Sequence, residues 1–158
     1  MEIMEIISAT ESLVPEIVEL WKEFWNYHEK MEPQFFVMSE DGPSKFEEYL
    51  RGLIKSDDAQ VLVALEGGQI VAYSIAQILK RPPIAKHPEY GFISDLCIKS
   101  EYRRKGLGKQ ISDKILEWFK SRQIDRIELS VVAKNQIASS FWKKQGFEVF
   151  LHRMFLPK

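Results

Sequence analysis

The sequence predicts an α/β protein in which helices cover both faces of one mixed, twisted sheet. Hydrophobic periodicity, two residues in strands and 3.6 in helices, reads along the chain as β-α-α-β-β-β-α-β-α-β. That order joins some strands by hairpins and others through helices, so antiparallel and parallel pairs must share a sheet. Size agrees: 158 residues, 45% hydrophobic and 28% charged, suit one core. No repeat, low-complexity tract or linker divides residues 1–158, so one domain is expected.

Ile3 to Ile7 alternates as a short strand. Leu13, Ile17, Leu20, Trp21, Phe24, Trp25 and His28 then recur at helical spacing and form one wide apolar face. Pro33 ends that helix, and the stretch to Gly42 reads as loop. Ser44 followed by Glu47 has the form of a capping box and opens a second helix that buries Phe46, Leu50, Leu53 and Ile54. Gln60 to Leu65 and Ile70 to Leu79 are β-rich, and Gly67-Gly68 between them suits a hairpin. Arg81 to Tyr90, with three prolines, reads as loop, and Phe92 to Ile98 as the next strand. Leu107, Ile111, Ile115, Trp118 and Phe119 mark the most regular amphipathic helix in the chain. Arg126 to Val132 follows as strand, Ala138 to Gln145 as a helix stopped by Gly146, and Phe147 to Leu156 as one or two last strands.

A formal net charge of -1 gives no long-range pull toward phosphate backbones, which disfavours a nucleic-acid partner. The single cysteine, Cys97, excludes an internal disulfide and the common zinc-finger spacings, and fits a reducing cytoplasm. Three histidines without ligand spacing predict no metal. Met1-Glu2-Ile3-Met4-Glu5 carries two acids and no base, the wrong charge for a secretory signal. No apolar run nears the ~18 residues of a membrane span. A soluble cytoplasmic protein, without a membrane partner, is the expectation.

Between a strand and the regular helix lies Tyr102-Arg103-Arg104-Lys105-Gly106-Leu107-Gly108-Lys109. A helix start leaves backbone N–H groups unpaired and carries partial positive charge, so it suits a phosphate. Gly106 and Gly108 remove side chains that would hold an anion away, and Arg103, Arg104, Lys105 and Lys109 add positive charge. A P-loop would need Gly at 103 and Ser or Thr at 110, where Arg103 and Gln110 stand. A dinucleotide fingerprint would need Gly or Ala at 111, where Ile111 stands. By composition alone, a basic surface loop that uses its glycines only to turn fits as well.

Arg103-x-x-Gly106-x-Gly108 resembles the [Arg/Gln]-x-x-Gly-x-[Gly/Ala] motif of the GNAT superfamily of N-acetyltransferases. Ile93-Ser94-Asp95-Leu96-Cys97-Ile98 resembles the strand that precedes it in that family. Asn135-x-x-Ala138-x-x-Phe141-Trp142 and Gly146-Phe147 resemble its late helix and following strand. The resemblance runs from about Ile3 to Leu156, with its specific part over 93–147. It implies the GNAT acyl-CoA N-acyltransferase fold and an acetyl-CoA cofactor. By that analogy the backbone of Leu96, Cys97 and Ile98 holds the pantetheine arm, and Arg103, Arg104, Lys105, Gly106, Leu107, Gly108 and Lys109 bind the pyrophosphate. Asn135 and Trp142 touch the arm from the other side.

The implied reaction is direct attack of an amine on the thioester. An alkylamine with a pKa near about 10.4 must first lose a proton, so a base is needed. Asp95 is the first candidate base, with Glu89 and His87 behind it. The family commonly has Tyr where Trp142 stands, and an indole N–H cannot release its proton sensibly; Tyr90, Tyr73 or solvent would have to supply an acid. Cys97 lacks a basic partner in sequence, so a nucleophilic role is not expected. Tyr27, His28 and Tyr90 are expected to border the acceptor, with Glu29 and Glu32 near Tyr27 and His28. Those two acids with Glu40 and Asp41 fit either a cationic acceptor or a solvated loop. Two readings stay open: an acetyltransferase for a small-molecule or peptide amine, or a GNAT-fold module that binds CoA without catalysis. The resemblance also admits a homodimer.

Overall fold

The structure, a computed structural model, describes residues 4–158. Its elements are β1 (Glu5–Ser8), α1 (Val14–Met31), α2 (Gly42–Lys55), β2 (Ala59–Glu66), β3 (Gln69–Lys80), β4 (Glu89–Ile98), α3 (Leu107–Ser121), β5 (Ile127–Leu129) and α4 (Gln136–Lys144). The sheet runs β1-β2-β3-β4-β5. The first three pairs are antiparallel, and β4–β5 is parallel. A parallel neighbour cannot be reached by a hairpin, and α3 provides the crossover.

Each strand residue faces one of two cores, as the two-residue period requires. Val61 and Val63 of β2 join Tyr73 and Ile75 under Ile17 and Trp21 of α1 and Leu50 and Leu53 of α2. Leu62 and Ala64 point the other way and join Val71 and Ala72 under Ile111, Ile115 and Phe119 of α3 and Trp142 of α4. Helices therefore cover both faces of a mixed sheet. The β2–β3 turn places Gly67 at φ 57° and Gly68 at φ 78°, the left-handed conformations a two-residue hairpin needs.

Several boundaries differ from the sequence reading. Ile3, expected to open the first strand, lies outside the described residues, and β1 begins at Glu5. Helix α2 begins at Gly42, because Pro43 fits a first helical turn. Ser44 therefore sits inside the helix, where it cannot cap. Its Oγ donates to the Asp41 carbonyl at 3.0 Å, while Glu47 pairs with Arg51 at 2.9 Å, and no capping box forms. Strand β4 starts at Glu89, since Glu89 and Tyr90 pair with Lys80 and Leu79. Only Ile127–Leu129 of the expected Arg126–Val132 strand is paired. Phe147 to Leu156 forms no strand: a strand exists only beside a paired neighbour, and among the described residues this stretch has none. Among the described residues no helix is long and apolar enough to cross a membrane.

Candidate active site

The site grows from an irregularity in β4. Ile75 pairs with Asp95 but Ala76 pairs with Ile93, so Ser94 is an extra residue, a β-bulge. In a regular strand Ile93 and Cys97 would share a face. Here Ile93 lies in the α3 core and Cys97 in the α1 core. The bulge thus turns Asp95 and Cys97 toward α1 and leaves Leu96 and Ile98 packed toward α3. The same strand loses its partner at this point. Gly91, Phe92 and Ile93 pair with β5, and from Ser94 to Ile98 β4 has β3 on one side and, among the described residues, no strand on the other.

Asp95 sits beside the fully buried Tyr73, whose hydroxyl donates to its carboxylate at 2.8 Å. Burial pushes the Asp95 carboxyl above the ordinary range, and hydrogen bonds from Tyr73 and Ser94 and the nearby His28 oppose that rise. The Tyr73 phenol is raised well above its ordinary value, first by burial and then by Asp95. Its proton points at Asp95, so Tyr73 is a poor acid for any other group. Burial pushes the Cys97 thiol up to about 12, with Arg103 pulling the other way, so it remains a thiol at neutral pH.

Above Asp95 stands the last part of α1. His28 Nδ1 lies 2.8 Å from the Phe24 carbonyl, which can only accept, so Nδ1 donates in this bond. Tyr27, Phe24 and Phe36 surround the imidazole at centroid distances of 5.7, 4.2 and 5.1 Å. Phe36 also packs on Trp25 at 5.1 Å.

The turn before α3 meets this corner. Arg103 Nε donates to the Ile98 carbonyl at 2.9 Å, and its guanidinium lies 5.9 Å from the Tyr27 ring centre. Arg103 therefore ties the turn to the end of β4 and to α1. Arg104 at φ 59° and Gly106 at φ 82° are left-handed, and no side chain caps α3. Its first-turn N–H groups are open by helix geometry. A Cβ on Gly106 would meet nothing within 4 Å, whereas one on Gly108 would lie 3.1 Å from Phe141 and 3.3 Å from Ile98. Gly108 thus lies where α3 approaches α4 and β4 closely, a constraint Gly106 does not share. Arg104, Lys105 and Lys109 are exposed around the turn, and Lys109 also pairs with Asp113 at 2.7 Å.

Asn135 is buried and caps α4, its Oδ1 accepting from the Ala138 N–H at 3.1 Å. Trp142 is a core residue between Phe141 and Phe147, at 4.9 and 5.2 Å. Tyr90 does not reach this corner. It lies at the opposite end of β4, five residues from Asp95 or roughly 15 Å along a strand, under the Arg81 guanidinium at 4.2 Å. Glu89 opens the same distant end of β4, paired with Lys80, and His87 lies before it in the loop. Strand direction separates all three from Asp95. Among the described residues no group of three or more His, Cys, Asp and Glu side chains could hold a metal.

Residues 14–147 match the model of the acetyltransferase (GNAT) family. The chain belongs to that family. The BH1408 protein of Bacillus halodurans, solved as a point mutant, is 28% identical, with a TM-score of 0.86 over 98% of this chain and 99% of that one. An aminoglycoside N-acetyltransferase solved with CoA shares the fold at TM-score 0.78 and 16% identity, over 100% of this chain and 96% of that one. An L-amino acid N-acetyltransferase of Escherichia coli (strain K12) is 28% identical over 56% of this chain and 52% of its own length. The chain thus spans about half the length of that relative.

Two features of this GNAT chain escaped sequence reading. The Tyr73–Asp95 pair joins residues 22 positions apart and depends on the bulge, which has no side-chain signature. The aromatic wall of Phe36 and Trp25 around His28 comes from a loop folding back on α1. Two adjacent phenylalanines in a loop, Phe35 and Phe36, were its only visible signal.

Proposed function

We propose that this chain transfers the acetyl group of acetyl-CoA directly to a primary amine of a small molecule or peptide. The observation that carries the reading is one juxtaposition. An uncapped helix start with a left-handed Gly106 and an unpaired stretch of β4 meet beside a half-buried carboxylate. These residues fit CoA: open backbone donors and three exposed cations suit a pyrophosphate, and an unpaired strand edge suits an extended amide arm. Acetyl-CoA supplies the activated acyl group.

In this reading the N–H groups of Gly106 to Lys109, with Arg104 and Lys105, hold the pyrophosphate, and Leu96 to Ile98 offer backbone partners to the arm. Arg103 positions the turn. Asp95 accepts the proton from the incoming ammonium; its raised pKa brings it closer to the amine's and lowers the cost of that transfer. Tyr73 holds the carboxylate in one orientation. Tyr27, His28 and Phe36 form the acceptor's wall. Asn135 and Trp142 contribute through the placement of α4.

The test is thiol release from acetyl-CoA against a panel of L-amino acids, aminoglycosides, polyamines and peptide N-termini, beside calorimetry with CoA. Amine-dependent release supports the proposal. The packing of Trp142, where the family's acid would stand, favours a second reading as a CoA-binding module without catalysis. CoA binding with no release on any amine would establish that reading instead.

A further inference from the structure

The corner around Asp95 has an aromatic rim and a second polar pair. Before α4, the described residues expose five large apolar side chains, and four of them stand on this rim: Tyr27, Phe35, Val37 and Tyr49. They come from the end of α1, the loop after it and α2. Ring contacts lead from His28 through Phe36, Trp25, Trp21 and Phe46 to Tyr49, none longer than 6.3 Å between centres. Both ends of the corner therefore belong to one aromatic layer. Exposed apolar surface beside a few fixed polar groups is the character of a small-molecule site.

The second pair lies further along the sheet. Gln77 Nε2 donates to the Tyr49 hydroxyl oxygen at 2.8 Å. Gln77 follows Tyr73 and Ile75 on β3 at two-residue steps, so it faces α1 and α2 as they do. Ile75 pairs with Asp95, which sets Gln77 about 7 Å along the strand from the level of the carboxylate. Burial raises the Tyr49 phenol most, Gln77 opposes that rise, and the charge of Asp95 adds to it, so Tyr49 and Asp95 share one neighbourhood. Among the described residues the Tyr49 proton has no acceptor and Gln77 Oε1 no donor. The pair offers one hydrogen-bond donor, one acceptor and no charge.

Charge is sparse on this face. Of Tyr73, Ile75, Gln77, Asp95 and Cys97, the sheet residues turned toward α1 and α2 here, only Asp95 is an acid. Glu40 is exposed in the loop, and Asp41 is held by Lys45 at 2.9 Å. Glu29 and Glu32 follow Trp25 and His28 by one helical turn, at the far end of α1. A second ammonium beside Tyr49 and Gln77 would lose water and meet no counter-charge, whereas a hydroxyl or amide would be satisfied there.

We propose, resting on the reading of this corner as an acetyltransferase's acceptor site, that the acceptor is an arylalkyl monoamine. Its nitrogen lies at Asp95, its ring against the aromatic layer at Phe36, and a neutral polar group beyond the ring meets Tyr49 and Gln77. Tyr49 and Phe36 are then specificity-determining residues, and the acids of the loop serve solvation.

The test compares kcat/KM with acetyl-CoA for tyramine, phenethylamine, ethylamine, spermidine and kanamycin, beside calorimetric titration of each amine into the CoA-loaded chain. Tyramine should exceed phenethylamine by about 5-fold, and phenethylamine should exceed ethylamine by on the order of 10²-fold. Spermidine and kanamycin should fall below phenethylamine. Tyr49→Phe should bring the tyramine-to-phenethylamine ratio to about one, and Phe36→Ala should cut the phenethylamine-to-ethylamine ratio by about 10-fold. Ratios within one variant cancel a general loss of folded protein, and the wild-type order decides even where a variant fails to fold. Spermidine or kanamycin used as well as tyramine overturns the proposal while leaving acetyl transfer intact, and so do ratios that stay put in either folded variant. The same order in calorimetry with no transfer to any amine overturns acetyl transfer and upholds the site. Absence of both transfer and binding for the aryl amines overturns the proposal.

Discussion

Replacing Asp95 by Asn separates a working group from a supporting one, because the two roles predict opposite stability changes. Asn keeps the shape and an oxygen that can accept from the Tyr73 hydroxyl, now 2.8 Å from the carboxylate. The charge-assisted bond weakens to a neutral one, a loss of about 1–1.5 kcal/mol. Against this, a half-buried carboxylate pays part of the desolvation cost of a buried ion, which an amide does not. The net expectation is a small gain at neutral pH, on the order of 1 kcal/mol, or a few degrees in Tm for a chain of this size. The pH dependence has a definite sign. A carboxyl raised in the fold favours folding below its unfolded pKa and loses that contribution as pH rises through its folded pKa. The advantage of Asp95→Asn should therefore be largest at neutral pH and fade in acid. Activity should move the other way. Loss of a general base costs on the order of 10²–10⁴-fold in kcat and leaves CoA affinity nearly intact. Scanning calorimetry at pH 4.5 and 7.5 beside steady-state rates makes the comparison. A variant that is less stable at pH 7.5 and loses activity only in proportion would refute the base assignment, and so would an unchanged pH–rate profile.

Tyr73→Phe removes a bond that lowers the Asp95 pKa, so the acid limb of the pH–rate profile should move to higher pH; a profile that stays put would show that Tyr73 does not act through Asp95. Cys97, held up to about 12, should resist iodoacetamide at pH 8 in the native state and react on unfolding, and Cys97→Ala should keep its rate within about threefold. Gly106→Ala places a side chain at φ 82°, a strain of about 1–2 kcal/mol. Because nothing lies within 4 Å of that Cβ, the loss should appear in CoA affinity by titration calorimetry more than in the packing of α3.

Elements declared by side-chain chemistry were legible, and those set by partners were not. The periodicity of Ile111, Ile115 and Phe119 announced α3, and Gly67-Gly68 announced the hairpin, because both signals are local. The capping box misled because Ser44 and Glu47 satisfy the pattern while Pro43 sets where the helix begins. The last strands misled for a deeper reason. Phe147 to Leu156 has a strand's composition, but among the described residues no strand pairs with it. Tyr90 was drawn into the acceptor site by its chemistry, whereas a strand carries five residues over roughly 15 Å and its two ends serve different surfaces.

The glycine pattern shows how one motif can serve two different constraints. Gly106 and Gly108 read alike in sequence, two missing side chains near a phosphate. In the fold they answer different constraints. Gly106 needs its backbone angle and has open space beside it; Gly108 is buried in an ordinary helical position and needs a close approach to Phe141 and Ile98. Contacts of 3.1–3.3 Å to a new Cβ are tight, but both neighbours are side chains that can yield by tenths of an ångström. Gly108→Ala should then lower Tm modestly and shift α4, with CoA affinity following only as far as the first turn of α3 moves. Gly108→Val adds two methyl groups to the same contact, an overpacking that costs typically 1–3 kcal/mol. Pairing Gly108→Val with Phe141→Leu removes the ring it strikes. If the double variant regains stability and CoA binding together, Gly108 is a packing glycine. If stability returns while binding does not, the space at Gly108 belongs to the anion after all.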